Sequence, residues 1–305
     1  LVGLQSCGIG GGALRLHYDG VSRELAAYDG RETAPAAATG DMFMKNGKPL
    51  AFFEAVVGGL SVGVPGELRM LELAHREQGK LPWKRLFEPA IRLAREGFAI
   101  SPRMYQLVAG DPLLGTGATT RDYFYADGKP KPVGSVLKNP AFADVLEAVA
   151  ERGADAFYTG AIAADIVAAV RGADNPGRLT EADMAGYRAK KRGVICSQHR
   201  ERYQLCGFPP PTSGSLTAMQ ILGMLQRFDM GALSADDPQA AHLFAEASRL
   251  AYADRDRYAA DPDFVAVPTQ ALLDPSYLAG RAALIDPDKA AAAVAAGEPG
   301  GARDS

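Results

Sequence analysis

Few residues in this sequence have the types and spacing to do chemistry, and each has a plain structural reading beside the chemical one. Arg31 lies in the word Tyr28-Asp29-Gly30-Arg31-Glu32-Thr33-Ala34-Pro35, between a glycine that permits a sharp bend and a proline that stiffens the chain. A loop arginine is most often a solvated surface charge. A rigidly presented guanidinium, however, grips a carboxylate through two parallel N–H···O bonds, worth about 1.5–3 kcal/mol when charge-assisted. Arg31 is therefore a candidate carboxylate clamp, and the adjacent Glu32 is a candidate to orient it.

The remaining motifs favour structure over chemistry. Gly8-Ile9-Gly10-Gly11-Gly12-Ala13 spells a dinucleotide-binding pattern by letter, but that pattern cradles a pyrophosphate only where a helix follows it. Here the following residues alternate with period two, so the glycines read as close backbone approach at a strand start. Ser213, in Pro211-Thr212-Ser213-Gly214, lacks the Gly-x-Ser-x-Gly elbow of a nucleophile, and Thr212 or Ser213 reads as a helix N-cap, with Pro209, Pro210 and Pro211 as an extended lead-in. His17, His75, His199 and His242 share no metal-ligand spacing, and Cys7, Cys196 and Cys206 form no metal knuckle. Neither a metal nor a cofactor is expected. Cys196 and Cys206 fall on the two arms of an expected hairpin, and spacing alone leaves open whether they pair. The run Asp254-Arg255-Asp256-Arg257 reads as the solvated, ion-paired face of a helix end.

The elements that must position these residues follow from periodicity. Leu14, Leu16 and Tyr18 alternate with Arg15 and His17, and Asp19-Gly20 predicts a two-residue turn into a second strand over 21–28. A second hairpin is expected around 194–196 and 203–206. The stretch after Pro65 carries Leu68, Met70, Leu71, Leu73 and Ala74 as an apolar stripe, with Gly79 placed to end a helix. Pro82 opens another helix, interrupted at Pro89 and closed at Gly97; further helices are expected over 140–152, 156–171, 213–228 and 238–258. Loops are expected at 111–120, 126–134, 208–214 and 260–268, and the tail over 295–305 reads as a frayed end. Helix dominates, with a few strands.

Composition narrows the class. The chain has 305 residues, 47% apolar and 23% charged, enough to bury a large core in one large domain or two ordinary ones. A net charge of -3 gives no basic face for nucleic acid or anionic lipid, so a small-molecule or peptide partner is the default. The longest apolar run, Ala290 to Ala296, falls far short of the roughly 20 residues that span a bilayer. Leu1 is not an initiator methionine and no signal-peptide pattern follows it, so the native start is expected to lie outside what is shown.

Taken together in order, the words "SCGIGGGALRLHYDG", "YDGRETAPAAA", "AVVGGLSVGVPGELRMLELAHREQGKLPW", "PAIRLAREGFAIS", "YQLCGFPPPTSGSLTAMQIL" and "AEASRLAYADRDRYAADPDF" resemble the gamma-glutamyltransferase (gamma-glutamyltranspeptidase) family across nearly the whole chain. The resemblance implies an α+β N-terminal-nucleophile hydrolase, an αββα sandwich made when a precursor cuts itself into a large and a small subunit. By the same resemblance this chain, 1–305 as a single domain, is the large subunit, with a few tens of residues missing before its first word. Its partner is a small subunit whose new N-terminal threonine is the nucleophile, so no catalytic residue is expected in this chain alone.

The implied reaction moves the γ-glutamyl group of glutathione and related compounds to water or to an amine. Arg31 matches the family arginine that binds the α-carboxylate of that group; the glycine word and the "PPPTSG" word match positions read as structural. A related acylase acting on β-lactam side chains or on poly-γ-glutamate is the alternative within the fold, and a noncatalytic binding relative is the alternative outside it. The resemblance favours a periplasmic or secreted location and leaves a cytoplasmic one open.

Overall fold

The computed structural model describes residues 8–234 and 236–300. Cys7, which precedes the glycine-rich word, and the last five residues of the tail lie outside them. The elements run β1 (Ala13–Tyr18), β2 (Leu25–Gly30), β3 (Met44–Lys45), β4 (Lys48–Pro49), α1 (Phe52–Val56) and α2 (Glu67–Gln78). A 3-10 turn over Trp83–Leu86 then leads into α3 (Glu88–Glu96), β5 (Phe98–Ala99), α4 (Pro102–Gly110), α5 (Ala118–Phe124), β6 (Tyr125–Ala126), β7 (Lys129–Pro130) and β8 (Val136–Leu137). They continue as α6 (Pro140–Arg152), α7 (Asp155–Tyr158), α8 (Ala161–Arg171), α9 (Glu181–Gly186) and β9 (Lys190–Arg192). The last are β10 (Ile195–His199), β11 (Tyr203–Gly207), α10 (Gly214–Leu225), α11 (Pro238–Tyr258), α12 (Thr269–Leu272) and α13 (Pro275–Ala282). Helix dominates. β1, β2 and β9 pair with β2 central, and β3-β4, β5-β8, β6-β7 and β10-β11 are separate two-stranded pairs.

The chain divides into two compact units, 1–14 with 28–190 and 15–27 with 191–305. In the first, Val64, Leu68, Val149, Phe157, Tyr158 and Leu179 are among the residues of the largest core cluster. The helix after Pro65 forms as expected, but its buried residues are Leu68, Met70, Glu72 and Ala74, while Leu71 is exposed. Glu72 displaces Leu71 from the inner face because it has partners there: its carboxylate accepts the Ala154 N–H at 2.9 Å and pairs with Arg69 at 3.1 Å. Pro89 sits in the first turn of α3, where its missing N–H costs nothing, so it starts that helix rather than interrupting it. The single helix expected over 156–171 is two, parted at Thr159-Gly160 where Gly160 has φ 71°.

In the second unit α10, α11 and α13 pack through Ile221, Met224, Leu243, Leu250 and Leu278. Helix α11 has the bounds its sequence suggests, with Asp237 capping it by accepting the Gln239 N–H and Pro238 in its first turn. The β1-to-β2 connection is longer than a two-residue turn. Asp19 Oδ1 accepts the N–H groups of Val21 and Ser22 at 2.7 and 2.9 Å, and this side-chain turn carries the chain through six residues before β2 begins. Leu14, Leu16 and Tyr18 form the more exposed face of β1. The triple proline is a turn with a cis Pro210–Pro211 bond, not an extended lead-in. No helix among the described residues is long and apolar enough to cross a membrane.

Candidate functional site

Arg31 is set by the end of β2. The strand buries Ala27, Tyr28 and Asp29, and Asp29 Oδ1 accepts the Arg31 N–H at 2.8 Å, closing a side-chain turn directly after Gly30. Gly30 has no room for a side chain: a Cβ there would stand 2.4 Å from Met70 Cβ. On the other side the Tyr187 hydroxyl, 156 residues away, donates to the Arg31 carbonyl at 2.7 Å. Tyr187 is buried and stacks on Tyr158 with ring centroids 5.9 Å apart and planes 11° from parallel. The backbone of Arg31 is thus held from both sides while its side chain stays 66% exposed.

The chain beyond is tied as firmly. Thr33 and Val64 exchange N–H···O bonds at 3.3 and 2.8 Å. Pro35 is buried, Ala36 N–H donates to Asp183 Oδ1 at 2.9 Å, and Arg178 donates to the Ala37 carbonyl at 2.8 Å. Asp183 is itself fixed in the capping box of α9, where Thr180 and Asp183 satisfy each other's backbone N–H groups. The rigid presentation expected of this loop is present, and long-range contacts with α9 enforce it.

Glu32 pairs with Arg31, Nη1 to Oε2, at 3.0 Å. Its carboxylate also lies where a Cβ on Gly12 would fall, 2.4 Å from Oε2. The glycine word therefore serves backbone approach: Gly11 accepts the N–H groups of Gly66 and Glu67 at 3.0 and 3.1 Å, and β1, not a helix, follows it. Glu67, at the start of α2, is half-buried, and its Oε2 has no hydrogen-bond partner among the described residues. Burial, and then the negative charge of Glu32, raise its pKa above the ordinary carboxyl value. A cavity of about 350 Å³ opens here, its lining including Arg31, Glu32, Thr33, Pro35, Ser61 and Gly63. Nothing in the sequence pointed to Asp29, Tyr187 or Gly66 as the frame of this site, because each acts through a contact distant in the chain or through its backbone.

The other candidates have structural partners. Ser213 occupies the N-cap position of α10 but makes no capping bond; its Oγ accepts from Arg255 Nε at 2.9 Å. His75 Nε2 lies 2.8 Å from the Leu81 carbonyl and His242 Nε2 2.9 Å from that of Asp286. Among the described residues no three His, Cys, Asp or Glu side chains come together as a metal set. Cys196 and Cys206 are directly opposed in the β10-β11 ladder and form a disulfide. The run Asp254 to Arg257 is not uniformly solvated. Asp254 is fully buried and accepts from Tyr277 Oη at 2.8 Å, Gln220 Nε2 at 3.1 Å and the Gly297 N–H at 2.8 Å, and it pairs with Arg281 at 2.9 Å.

In sequence and in fold the chain is similar to known proteins. A family model described as gamma-glutamyltranspeptidase matches residues 1–303. The glutathione hydrolase proenzyme of Bacillus subtilis (strain 168) is 36% identical over 293 residues, 96% of this chain and 49% of that protein. The acylase ACY 1 proenzyme of Pseudomonas sp. (strain SE83) is 34% identical over 274 residues, 86% of this chain and 45% of that one. The crystal structure of Helicobacter pylori gamma-glutamyltranspeptidase superposes with a TM-score of 0.93 at 29% identity, covering 100% of this chain and 87% of the other. The chain spans about half the length of the curated relatives it matches.

Proposed function

The chain belongs to the gamma-glutamyltranspeptidase family, and from that premise we propose that it is the large-subunit domain, residues 1–305, of an enzyme that transfers γ-glutamyl groups. Its fold is that of an N-terminal-nucleophile hydrolase chain, α+β and mostly helical. The donors are glutathione and other γ-glutamyl amides, and the acceptor is water or an amino-acid or peptide amine. The nucleophilic threonine belongs to the small subunit. Its hydroxyl attacks the γ-carbonyl, the amine departs, and the resulting γ-glutamyl ester is resolved by the acceptor, so ping-pong kinetics follow.

Arg31 binds the α-carboxylate of the glutamyl group and contributes positioning rather than bond chemistry. The observation that carries this reading is an arginine side chain two-thirds exposed on a backbone pinned by Asp29 and Tyr187. Such a group can exchange Glu32 for a ligand carboxylate without moving the chain. The exposed apolar face of β1, with Leu14, Leu16 and Tyr18, supports a protein partner that covers it. The Cys196–Cys206 disulfide supports a periplasmic or secreted location, where such bonds persist.

The test uses the full gene product with both subunits. On a γ-glutamyl anilide, Arg31→Lys raises KM while leaving the thermal midpoint close to that of the parent; unchanged kinetics remove Arg31 from the site. A single uncleaved band for the full product on a denaturing gel counts against the enzyme reading. The acylase reading, favoured by the likeness to the Pseudomonas acylase, predicts faster hydrolysis of glutaryl than of γ-glutamyl amides.

A further inference from the structure

The cavity at Arg31 has a wall for which a carboxylate clamp has no use. Beyond the polar residues already described, Met42, Phe43, Leu60 and Val62 line it. At about 350 Å³ the space falls at the small end of ligand pockets, roughly 300–1,000 Å³, and a carboxylate with two methylenes leaves much of that apolar lining facing water. Phe43 is 39% exposed, so its ring has surface to offer.

The wall is also rigid. Gly59 and Leu60 donate their N–H groups to the Asn175 carbonyl at 2.7 and 3.0 Å, and Asn175 Nδ2 donates to the Glu54 carbonyl at 2.9 Å. A Cβ on Gly59 would stand 1.9 Å from the Val170 carbonyl oxygen, so the backbone there is seated against α8. The Thr33–Val64 exchange holds the far end of the strip. On the Phe43 side, its carbonyl accepts the Leu50 N–H at 2.8 Å, and Arg178 donates to Thr39 Oγ1 at 3.0 Å. A preformed wall binds without the ordering cost of a loose one.

We propose that Phe43, Leu60 and Val62 form an apolar subsite joined to the Arg31 carboxylate site, so that the preferred ligand is a carboxylate bearing an aromatic or branched apolar group. The inference rests on the reading of Arg31 as a carboxylate site. For γ-glutamyl compounds the apolar group is the one carried by the γ-amide nitrogen, since the glutamyl part supplies only methylenes.

Equilibrium binding of butyrate and 4-phenylbutyrate to the full two-subunit protein tests the subsite without turnover. The parent binds 4-phenylbutyrate about tenfold more tightly; Phe43→Ala brings the ratio close to one, and Phe43→Leu keeps most of it. Phe53→Ala, an exposed aromatic outside the lining, leaves the ratio unchanged. A ratio unchanged in a folded Phe43→Ala protein, or an equal loss for both probes, overturns the subsite. If Phe43→Ala does not fold, Leu60→Ala replaces it, and there too an intact ratio overturns the proposal. Arg31→Ala weakens both probes alike and preserves their ratio. Binding that ignores Arg31 but still depends on Phe43 overturns the carboxylate reading and the joined site together, Arg31-dependent binding that ignores Phe43 overturns the subsite alone, and binding that depends on both in a protein inert toward γ-glutamyl anilides sinks the transferase reading alone.

Discussion

Two arginine–carboxylate pairs in this chain have nearly the same length and opposite meanings. Arg31 and Glu32 meet at 3.0 Å with side chains 66% and 31% exposed, whereas Arg281 and Asp254 meet at 2.9 Å with side chains 7% and 0% exposed. The exposed pair lies in high dielectric and is worth at most about 1 kcal/mol, so its guanidinium can trade partners readily. The buried pair cannot. Its charges have left water and are held by several fixed partners: Arg281 Nη2 also donates to the Leu250 and Ala295 carbonyls at 3.0 and 2.9 Å, while Asp254 accepts from Gln220, Tyr277 and Gly297. Distance alone therefore does not separate a pair free to exchange partners from a structural one; burial and the number of fixed partners do.

The largest effect is expected at the buried pair. Asp254→Ala leaves the Arg281 guanidinium uncompensated and is expected to cost about 3–5 kcal/mol, read as a lowered urea midpoint. A loss under about 1 kcal/mol would mean the cluster is wet and the contrast false. At the exposed end, Arg31→Ala is expected to leave stability within about 0.5 kcal/mol. On the proposed reading, the same substitution in the two-subunit enzyme is expected to raise KM for a γ-glutamyl anilide by an amount equivalent to about 1.5–3 kcal/mol, with kcat much less changed. A fall in the unfolding midpoint as large as that of Asp254→Ala would show Arg31 to be structural.

A third change sharpens what makes the exposed arginine useful. A Cβ on Gly66 would stand 2.2 Å from the Tyr187 hydroxyl and 2.3 Å from the Gly30 carbonyl oxygen. Gly66→Ala must therefore push Tyr187 off the Arg31 carbonyl, and the overpacking is expected to cost about 1–3 kcal/mol together with a raised KM. The paired effect, stability and KM together, distinguishes the frame from the clamp, where KM moves alone.

The sequence exposed the two ends of this contrast unequally. Arg31 stood out through its neighbours and through ordered words matching a family, because a charged residue on a loop framed by glycine and proline carries a local signature. Asp254 was hidden: in Asp254-Arg255-Asp256-Arg257 alternating charge reads as a wet face, yet one position in that turn points inward, and only the packing of α10 and α13 decides which. Glu72 replaced Leu71 inside α2 for the same reason, a partner supplied by the distant Ala154 N–H. Helices with strong stops, such as α6 between Pro140 and Gly153 and α11 from Pro238, were legible to the residue. The break at Gly160, the longer Asp19 turn and the missed helices α4 and α13 depended on which competing local hydrogen bonds the tertiary structure rewards. Cysteine spacing allowed a disulfide without requiring one, and it took the register of β10 on β11 to put Cys196 opposite Cys206.

Glu67 supplies the case between the two pairs, a carboxylate that is half-buried and whose Oε2 has no partner among the described residues. Burial and the nearby Glu32 raise its folded-state pKa above the ordinary value of 4.5. In the window just above 4.5 the folded chain holds a proton that the unfolded chain has released. Stability from this group is therefore complete below 4.5 and is lost as the pH rises through the raised value. Partial exposure screens the effect, so it is the smallest expected here, below about 1 kcal/mol. Glu67→Gln, which cannot ionise, is expected to match the parent at pH 4 and to exceed it slightly at pH 7 in urea unfolding. A variant less stable than the parent at pH 7 would mean that the Glu67 carboxylate is paired in its charged form, and would move it from the middle of the comparison to the side of Asp254.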